Sequence, residues 1–125
     1  NEIWDKVAFN TAMNTICALL EITPKTIQEN QYLKKFALNV VKETCTIGNA
    51  FGIKINETSI AKNIELSCRE HGEHKPSMLQ DILSKKRTEI DSLNGEVVRI
   101  GSKLNISTKM NRSLYNLIKA KENSY

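Results

Sequence analysis

One lysine and two asparagines spaced four residues apart, Lys6, Asn10 and Asn14, stand out in the opening segment IWDKVAFNTAMNTICALL. On a helix this spacing draws them along one edge, drifting by about 40° per step. An ammonium and two amides in a row are hydrogen-bonding groups suited to a polar ligand. Their neighbours Trp4, Val7, Ala8, Phe9, Ala12, Met13, Ile16, Cys17 and Leu19 are apolar, which predicts a largely buried helix. A buried polar group left without a partner costs about 1–3 kcal/mol, and a charged one more. The helix is therefore expected either to pack on another polar element or to line a site that a polar ligand enters.

A second stretch, SMLQDILSKKRTEIDSLNG over 77–95, sets Ser77, Gln80, Asp81, Arg87, Thr88, Glu89, Asp91 and Asn94 between apolar positions. Taken singly, these residues have plain structural readings. Ser77 followed by Gln80 fits a capping box. Glu89 fits a first-turn acid facing the helix dipole. Arg87 fits a surface cation.

The elements that must carry these residues read as helices. The first covers 2–22 and ends near Thr23–Pro24, because proline disfavours helix at the residue before it. Thr26 opens a short turn. A second long helix covers 30–51, with Leu33, Phe36, Ala37, Val40, Val41, Cys45, Ile47 and Phe51 at core spacing and Gly52 as a natural C-cap. A third covers 58–70 with Thr58 as N-cap, and the polar run HGEHKP (71–76) is a loop. A fourth starts at Ser77. A fifth covers about 89–104, weakened at Asn94–Gly95, and a sixth about 109–121. The β-branched residues fall on helical spacing, and no internal repeat or low-complexity tract is visible. The expectation is an all-α fold, one domain over residues 1–125 with about six helices.

The balance of 40% hydrophobic and 26% charged residues in 125 suits one soluble globular domain. No apolar run approaches the length of a membrane span, and no signal-peptide pattern opens the chain, so no membrane partner and a cytoplasmic setting are expected. The first residue is Asn rather than Met, which reads as a piece of a longer chain. Cys17, Cys45 and Cys68 are odd in number, widely spaced and set among apolar neighbours, so buried reduced thiols are expected. There is no CxxC, and His71 and His74 read as loop residues, so no metal site is expected. The net charge is +4, with lysines scattered apart from Lys34–Lys35 and Lys85–Lys86–Arg87. A basic field favours anionic small molecules, while no motif supports nucleic-acid binding.

Taken in order, the motifs resemble a known family. W-x-K-x-x-x-N-x-x-x-N (Trp4, Lys6, Asn10, Asn14) opens the chain. S-M-x-Q-D-I (Ser77, Met78, Gln80, Asp81, Ile82), T-E-I-D (Thr88 to Asp91) and N-G (Asn94, Gly95) follow. An E-x-x-x-x-G-x-A-x-G run ends at Gly52, and N-x-x-L-Y-x-L-I-K closes from Asn111 to Lys119. The ordered set is similar to the C-terminal domain of ketopantoate reductase (2-dehydropantoate 2-reductase) and covers nearly the whole chain.

That resemblance implies a two-domain oxidoreductase of pantothenate biosynthesis. An N-terminal Rossmann domain, absent from these residues, would hold NADPH, and the helical domain would supply the substrate side of the cleft. By position, Lys6 and Glu89 would be catalytic, and Asn10, Asn14 and Ser77 would bind the keto acid. The residue types suit the reaction. Hydride arrival turns a ketone into an alkoxide, which an ammonium stabilises and protonates. A carboxylate orients the lysine or accepts a substrate hydroxyl, and amides and a hydroxyl fix a small hydroxy acid. The chain departs from the family pattern in three places. Lys109 stands where the family has proline before the last helix. No further asparagine is found near Thr23–Pro24–Lys25. No G-x-G-x-x-G or βαβ pattern occurs in these residues.

On this reading the chain is the substrate half of a ketopantoate reductase or a related 2-keto acid reductase, inactive in isolation. Its partners would be the Rossmann domain, the keto acid and, as an open alternative, a second copy in a homodimer. The rival readings are a non-enzymatic helical interaction module of the same fold and, more weakly, a basic nucleic-acid-binding domain.

Overall fold

The computed structural model describes residues 2–125. Among them the chain forms seven helices and no strand: α1 (Glu2–Leu20), α2 (Pro24–Glu29), α3 (Gln31–Ala50), α4 (Glu57–His71), α5 (Ser77–Leu83), α6 (Asn94–Lys103) and α7 (Lys109–Glu122). The all-α expectation holds, and the turn near Thr26 is the short helix α2, with Pro24 at its start. No helix among the described residues is long and apolar enough to cross a membrane.

The apolar run in α1 makes it the axis of the bundle. It packs against α3, α4, α5 and α7, and Ala8, Ala12, Met13, Ile16, Cys17 and Ala18 are fully buried. Small residues at 8, 12 and 18 let the neighbouring helices approach closely. The main core gathers these with Val40, Val41, Ile60 and Leu114, while a second cluster joins Ala18 to Met78, Ile82, Ile90, Leu93 and Ile118.

Four helices end in one device. Glu21, Gly52, Lys85 and Asn105 take left-handed φ of 54°, 93°, 58° and 57°. The next N–H then donates to the carbonyl five residues back, as in Ile22 to Cys17 at 3.0 Å and Lys86 to Asp81 at 2.8 Å. Gly52 thus closes α3 as expected, one residue past the cap.

Three local expectations fail for identifiable reasons. The N-cap of α4 is Asn56, whose side chain accepts from Ser59 N at 3.0 Å, not Thr58. Ser77 is the first residue of α5 behind Pro76 and makes no side-chain cap bond; Gln80 donates instead to the Lys75 carbonyl at 2.8 Å. The fifth predicted helix begins at Asn94, not 89. Residues 84–93 are irregular because local side-chain bonds compete with helix: Thr88 Oγ1 accepts from Ile90 N at 3.2 Å, and Ser92 Oγ donates to the Glu89 carbonyl at 3.1 Å. Glu89 therefore precedes α6 by five residues and is not a first-turn acid. At Gly95 a Cβ would lie 2.9 Å from the Tyr115 ring and 3.2 Å from the Ile90 carbonyl, so the N-G pair marks a close approach of α7 and the turn to the start of α6.

All three cysteines are buried and unpaired. Burial pushes the Cys17 thiol up to about 12 and the Cys45 thiol up to about 11.

Candidate functional site

The lysine–asparagine stripe lies on the edge of α1 that the bundle leaves open. Lys6 is exposed, and Asn10 and Asn14 are half-buried, so the expectation of buried polar groups on this edge does not hold. Lys6 and Asn10 line one open cavity of about 410 Å³ together with Asp5, Phe9 and Asn63 of α4. Its wall combines a cation, a carboxylate, two amides and an aromatic ring. Asp5 Oδ1 is enclosed without a hydrogen-bond partner. Asn63 carries no signal in the sequence: a lone amide on a polar helical face, it is placed here only by the packing of α4 on α1.

Asn14, Ser77 and Glu89 do not line that cavity. Their segments dock instead near the C-terminal end of α1, about 120° around the helix from Lys6. Ala18, one turn beyond Asn14, packs with Met78 and Ile90, the residues that follow Ser77 and Glu89 in sequence. Ser77 and Glu89 are themselves exposed. The structure thus brings Lys6 and Asn10 together directly, and carries Ser77 and Glu89 on the two segments that cover the C-terminal half of α1.

The irregular segment bearing Glu89 is held from both sides. Thr88 donates to Glu122 Oε2 through its backbone N–H at 2.8 Å and its hydroxyl at 2.6 Å. Ile90 is fully buried. Asp91 accepts from the Tyr115 hydroxyl at 2.7 Å and from Lys119 at 3.4 Å. Tyr115 chiefly, with Lys119 adding to it, holds the Asp91 carboxyl below the usual carboxylate range. Residues 88, 90 and 91 are thereby anchored, and the Glu89 side chain is left at the surface.

Behind the stripe is a polar network that sequence reasoning missed. Thr11, Thr15, Thr44, Asn94 and Asn111 are all fully buried. Asn94 accepts from Thr15 Oγ1 at 2.8 Å, and its amide donates at 3.0 Å to both the Thr11 carbonyl and Asn111 Oδ1. Asn111 in turn donates to Glu43 Oε1 at 2.8 Å. Glu43 also accepts from the backbone N–H groups of Met110 and Asn111, so it caps α7. Thr11 and Thr15 directly follow Asn10 and Asn14, so this network fixes the rotation of α1 about its own axis and with it the direction of the stripe.

The fold and cleft define a class: a helical bundle whose central helix is locked by buried polar groups on one side and presents polar groups at an open cavity on the other. The chain belongs to the ketopantoate reductase family, with residues 1–122 matching the family model for ketopantoate reductase PanE/ApbA C terminal. It is 40% identical over 119 residues to the 2-dehydropantoate 2-reductase of Pyrococcus horikoshii, covering 95% of this chain and 39% of that protein. Against the 2-dehydropantoate 2-reductase of Streptococcus pyogenes it is 36% identical over 121 residues, covering 96% and 39%. The chain spans about two fifths of the length of these relatives.

The fold matches a PanE/ApbA family ketopantoate reductase from Ralstonia eutropha with a TM-score of 0.89 at 28% identity, covering 97% of this chain and 40% of that one. It also matches a D-mandelate dehydrogenase in ternary complex with NADH and anilino(oxo)acetate, with a TM-score of 0.92 at 29% identity, covering 98% and 52%.

Proposed function

We propose that this domain is the substrate-side, catalytic half of an NADPH-dependent 2-dehydropantoate 2-reductase, or of a closely related 2-keto acid reductase, working in the cytoplasm with an N-terminal Rossmann domain. The observation that carries the reading is that Lys6 and Asn10, spaced for one helix edge, share an open cavity on that edge. The relatives' activity supports the chemistry, and their greater length supports a further domain to hold the nicotinamide. The stripe is open to solvent rather than plugged by this domain's own side chains, which fits a nicotinamide and a keto acid approaching from outside.

NADPH, held mainly by the other domain, supplies the hydride. The chain's own residues do the rest. The Lys6 ammonium meets the C2 oxygen, stabilises the growing negative charge and delivers the proton. Asn10, Asn14 and Ser77 orient the acid. Glu89, on its anchored segment, completes the site by accepting a substrate hydroxyl or orienting Lys6. The structural likeness to a D-mandelate dehydrogenase supports a 2-keto acid as substrate and calls for both nicotinamides to be assayed.

The test is nicotinamide oxidation with 2-dehydropantoate by the full-length chain, its Lys6→Ala variant and residues 1–125 alone. Turnover by the first only is expected. Lack of turnover by the intact chain on any 2-keto acid would favour a non-enzymatic interaction module, and light scattering on the same samples reads out a homodimer.

A further inference from the structure

The segment that carries Glu89 is irregular, yet one helix grips it at three points. Tyr115, Lys119 and Glu122 are spaced by four and three residues and so fall on one face of α7. The Tyr115 hydroxyl and the Lys119 ammonium donate to Asp91 at 2.7 and 3.4 Å. Glu122 Oε2 accepts from Thr88 N and Thr88 Oγ1. Just past the helix, the Tyr125 hydroxyl donates to the Lys86 carbonyl at 2.9 Å. Residues 86, 88 and 91 are thus fastened to α7, and Glu89 stands between them with its side chain at the surface.

Glu122 is the anomaly in this grip. It is buried, and it lies in the last turn of α7, where the helix dipole favours a cation over a carboxylate. Burial penalises a carboxylate unless its oxygens find partners. Here one oxygen takes both Thr88 bonds and the other faces Lys119 at 3.7 Å. A charge set against both its helix and its hydration marks a position kept for a specific contact. Thr88 passes the constraint along the chain, since its Oγ1 also accepts from Ile90 N at 3.2 Å. Ser92 N and Leu93 N close on the Glu89 carbonyl at 3.0 and 3.1 Å. The peptide unit that follows Glu89 is therefore bonded at both its carbonyl and its N–H.

We infer that Glu122 is a positioning residue of the reductase: through Thr88 it sets where the Glu89 carboxylate stands. The inference rests on the reductase reading above, in which Glu89 serves the keto acid or Lys6. Glu122 spends its own carboxylate on Thr88 and Lys119, so its effect on the reaction passes through Glu89. A reacting or orienting group displaced by about 1 Å can cost up to about 10²-fold in rate, which is why a site on an irregular segment needs a rigid support behind it.

The experiment uses the full-length reductase with 2-dehydropantoate and NADPH, at a temperature where circular dichroism shows every variant folded. Glu122→Ala is expected to lower kcat/KM about tenfold. Glu122→Gln, whose amide oxygen can still accept both Thr88 bonds, is expected to stay within about threefold of wild type. Glu122→Asp keeps the charge but draws it back from Thr88; it is expected to fall between the two, and it carries the same test where the alanine variant is too unstable. In a Glu89→Ala background the alanine substitution at 122 is expected to change kcat/KM by less than about twofold, because the group it positions is gone. Ile60→Val trims the main core away from the gripped segment and controls for lost stability alone; its kcat/KM is expected to match wild type. Unimpaired turnover in the Glu122→Ala and Glu122→Asp variants, no rescue by glutamine, a tenfold loss that persists without Glu89, or an equal loss in Ile60→Val would each overturn the positioning role while leaving the reductase reading intact. A wild-type enzyme that reduces no 2-keto acid, or a Glu89→Ala enzyme with unimpaired kcat/KM, would overturn the place of Glu89 in that reading and the positioning role with it.

Discussion

Two faces of α1 treat their polar residues in opposite ways. Asn10 and Asn14 sit half-buried at an open edge, while Thr11 and Thr15, the very next residues, are fully buried. Thr11 bonds Thr44 at 3.0 Å and offers its carbonyl to Asn94; Thr15 donates to Asn94 at 2.8 Å. One face is locked by groups from α3, α6 and α7, and the other is held out towards a cleft. A step of about 100° around the helix separates the two. Buried polar groups with a full set of partners fix geometry, whereas groups left at an open edge are available to a ligand. The stripe is thus aimed by a network that never touches the cavity.

The largest expected effect tests the open face. In the full-length enzyme, Lys6→Ala should lower kcat by roughly 10²–10⁴-fold, because the ammonium meets a charge present in the transition state and not in the ketone. Thermal stability should barely move, since Lys6 is exposed. The locked face should behave in reverse. Asn94→Ala removes three buried hydrogen bonds. It should cost about 2–4 kcal/mol in denaturant unfolding, through the partners it strands. A Lys6→Ala protein that unfolds early, or an Asn94→Ala protein of normal stability, would break the contrast between the faces.

Glu89 sharpens it further. Lys6→Ala/Glu89→Ala should lose less activity than the product of the two single losses if the pair acts as one unit, and strict multiplicativity in kcat would separate Glu89 from Lys6. Thr88→Val removes the 2.6 Å bond to Glu122 and the acceptor for Ile90 N. It should cost about 1–2 kcal/mol. It should also reduce kcat by loosening the segment that carries Glu89. An unchanged kcat with the stability loss intact would show that the anchor serves the fold alone.

Much of this was legible because helical periodicity is strong. The apolar spacing marked α1, α3, α4 and α7 to within a residue or two, and the Lys6–Asn10–Asn14 edge followed from it. The start of α6 was not legible. Ile90 and Leu93 fall on helical spacing yet reach the core from a turn, and that turn is held by Glu122, 34 residues away from Thr88. The N-cap of α4 was misplaced because Asn56 and Thr58 are both good caps, and only the backbone angle chooses. The buried network was hidden for a simpler reason: threonine and asparagine at 11, 15, 44, 94 and 111 look like ordinary surface residues until four separate helices meet. Asn63 was hidden in the same way.

The smallest effect comes from a third kind of polar arrangement, exposed and self-paired. Asp91 accepts from Tyr115 and Lys119 with a side chain 65% exposed, so the cluster is paired at the surface rather than locked inside. Comparing wild type with Asp91→Ala should give a stability difference under about 1 kcal/mol at neutral pH, weakened further by salt. Its pH profile is diagnostic. The folded-state Asp91 carboxyl is held below its ordinary range, first by the Tyr115 hydroxyl. The unfolded chain therefore takes up that proton at higher pH than the folded one, and the contribution is present above the ordinary carboxylate value and is lost as pH falls through the folded value. At the other end, the Tyr115 hydroxyl is raised above its ordinary value by the bond it donates to Asp91. That contribution is present below the ordinary tyrosine value and is lost as pH rises through the raised one. Urea midpoints of the two proteins should differ on a plateau between those limits and converge in acid and in base. A difference independent of pH would assign the effect to packing rather than to the Asp91–Tyr115 bond, and would place Asp91 with the core of the fold instead of with its surface charges.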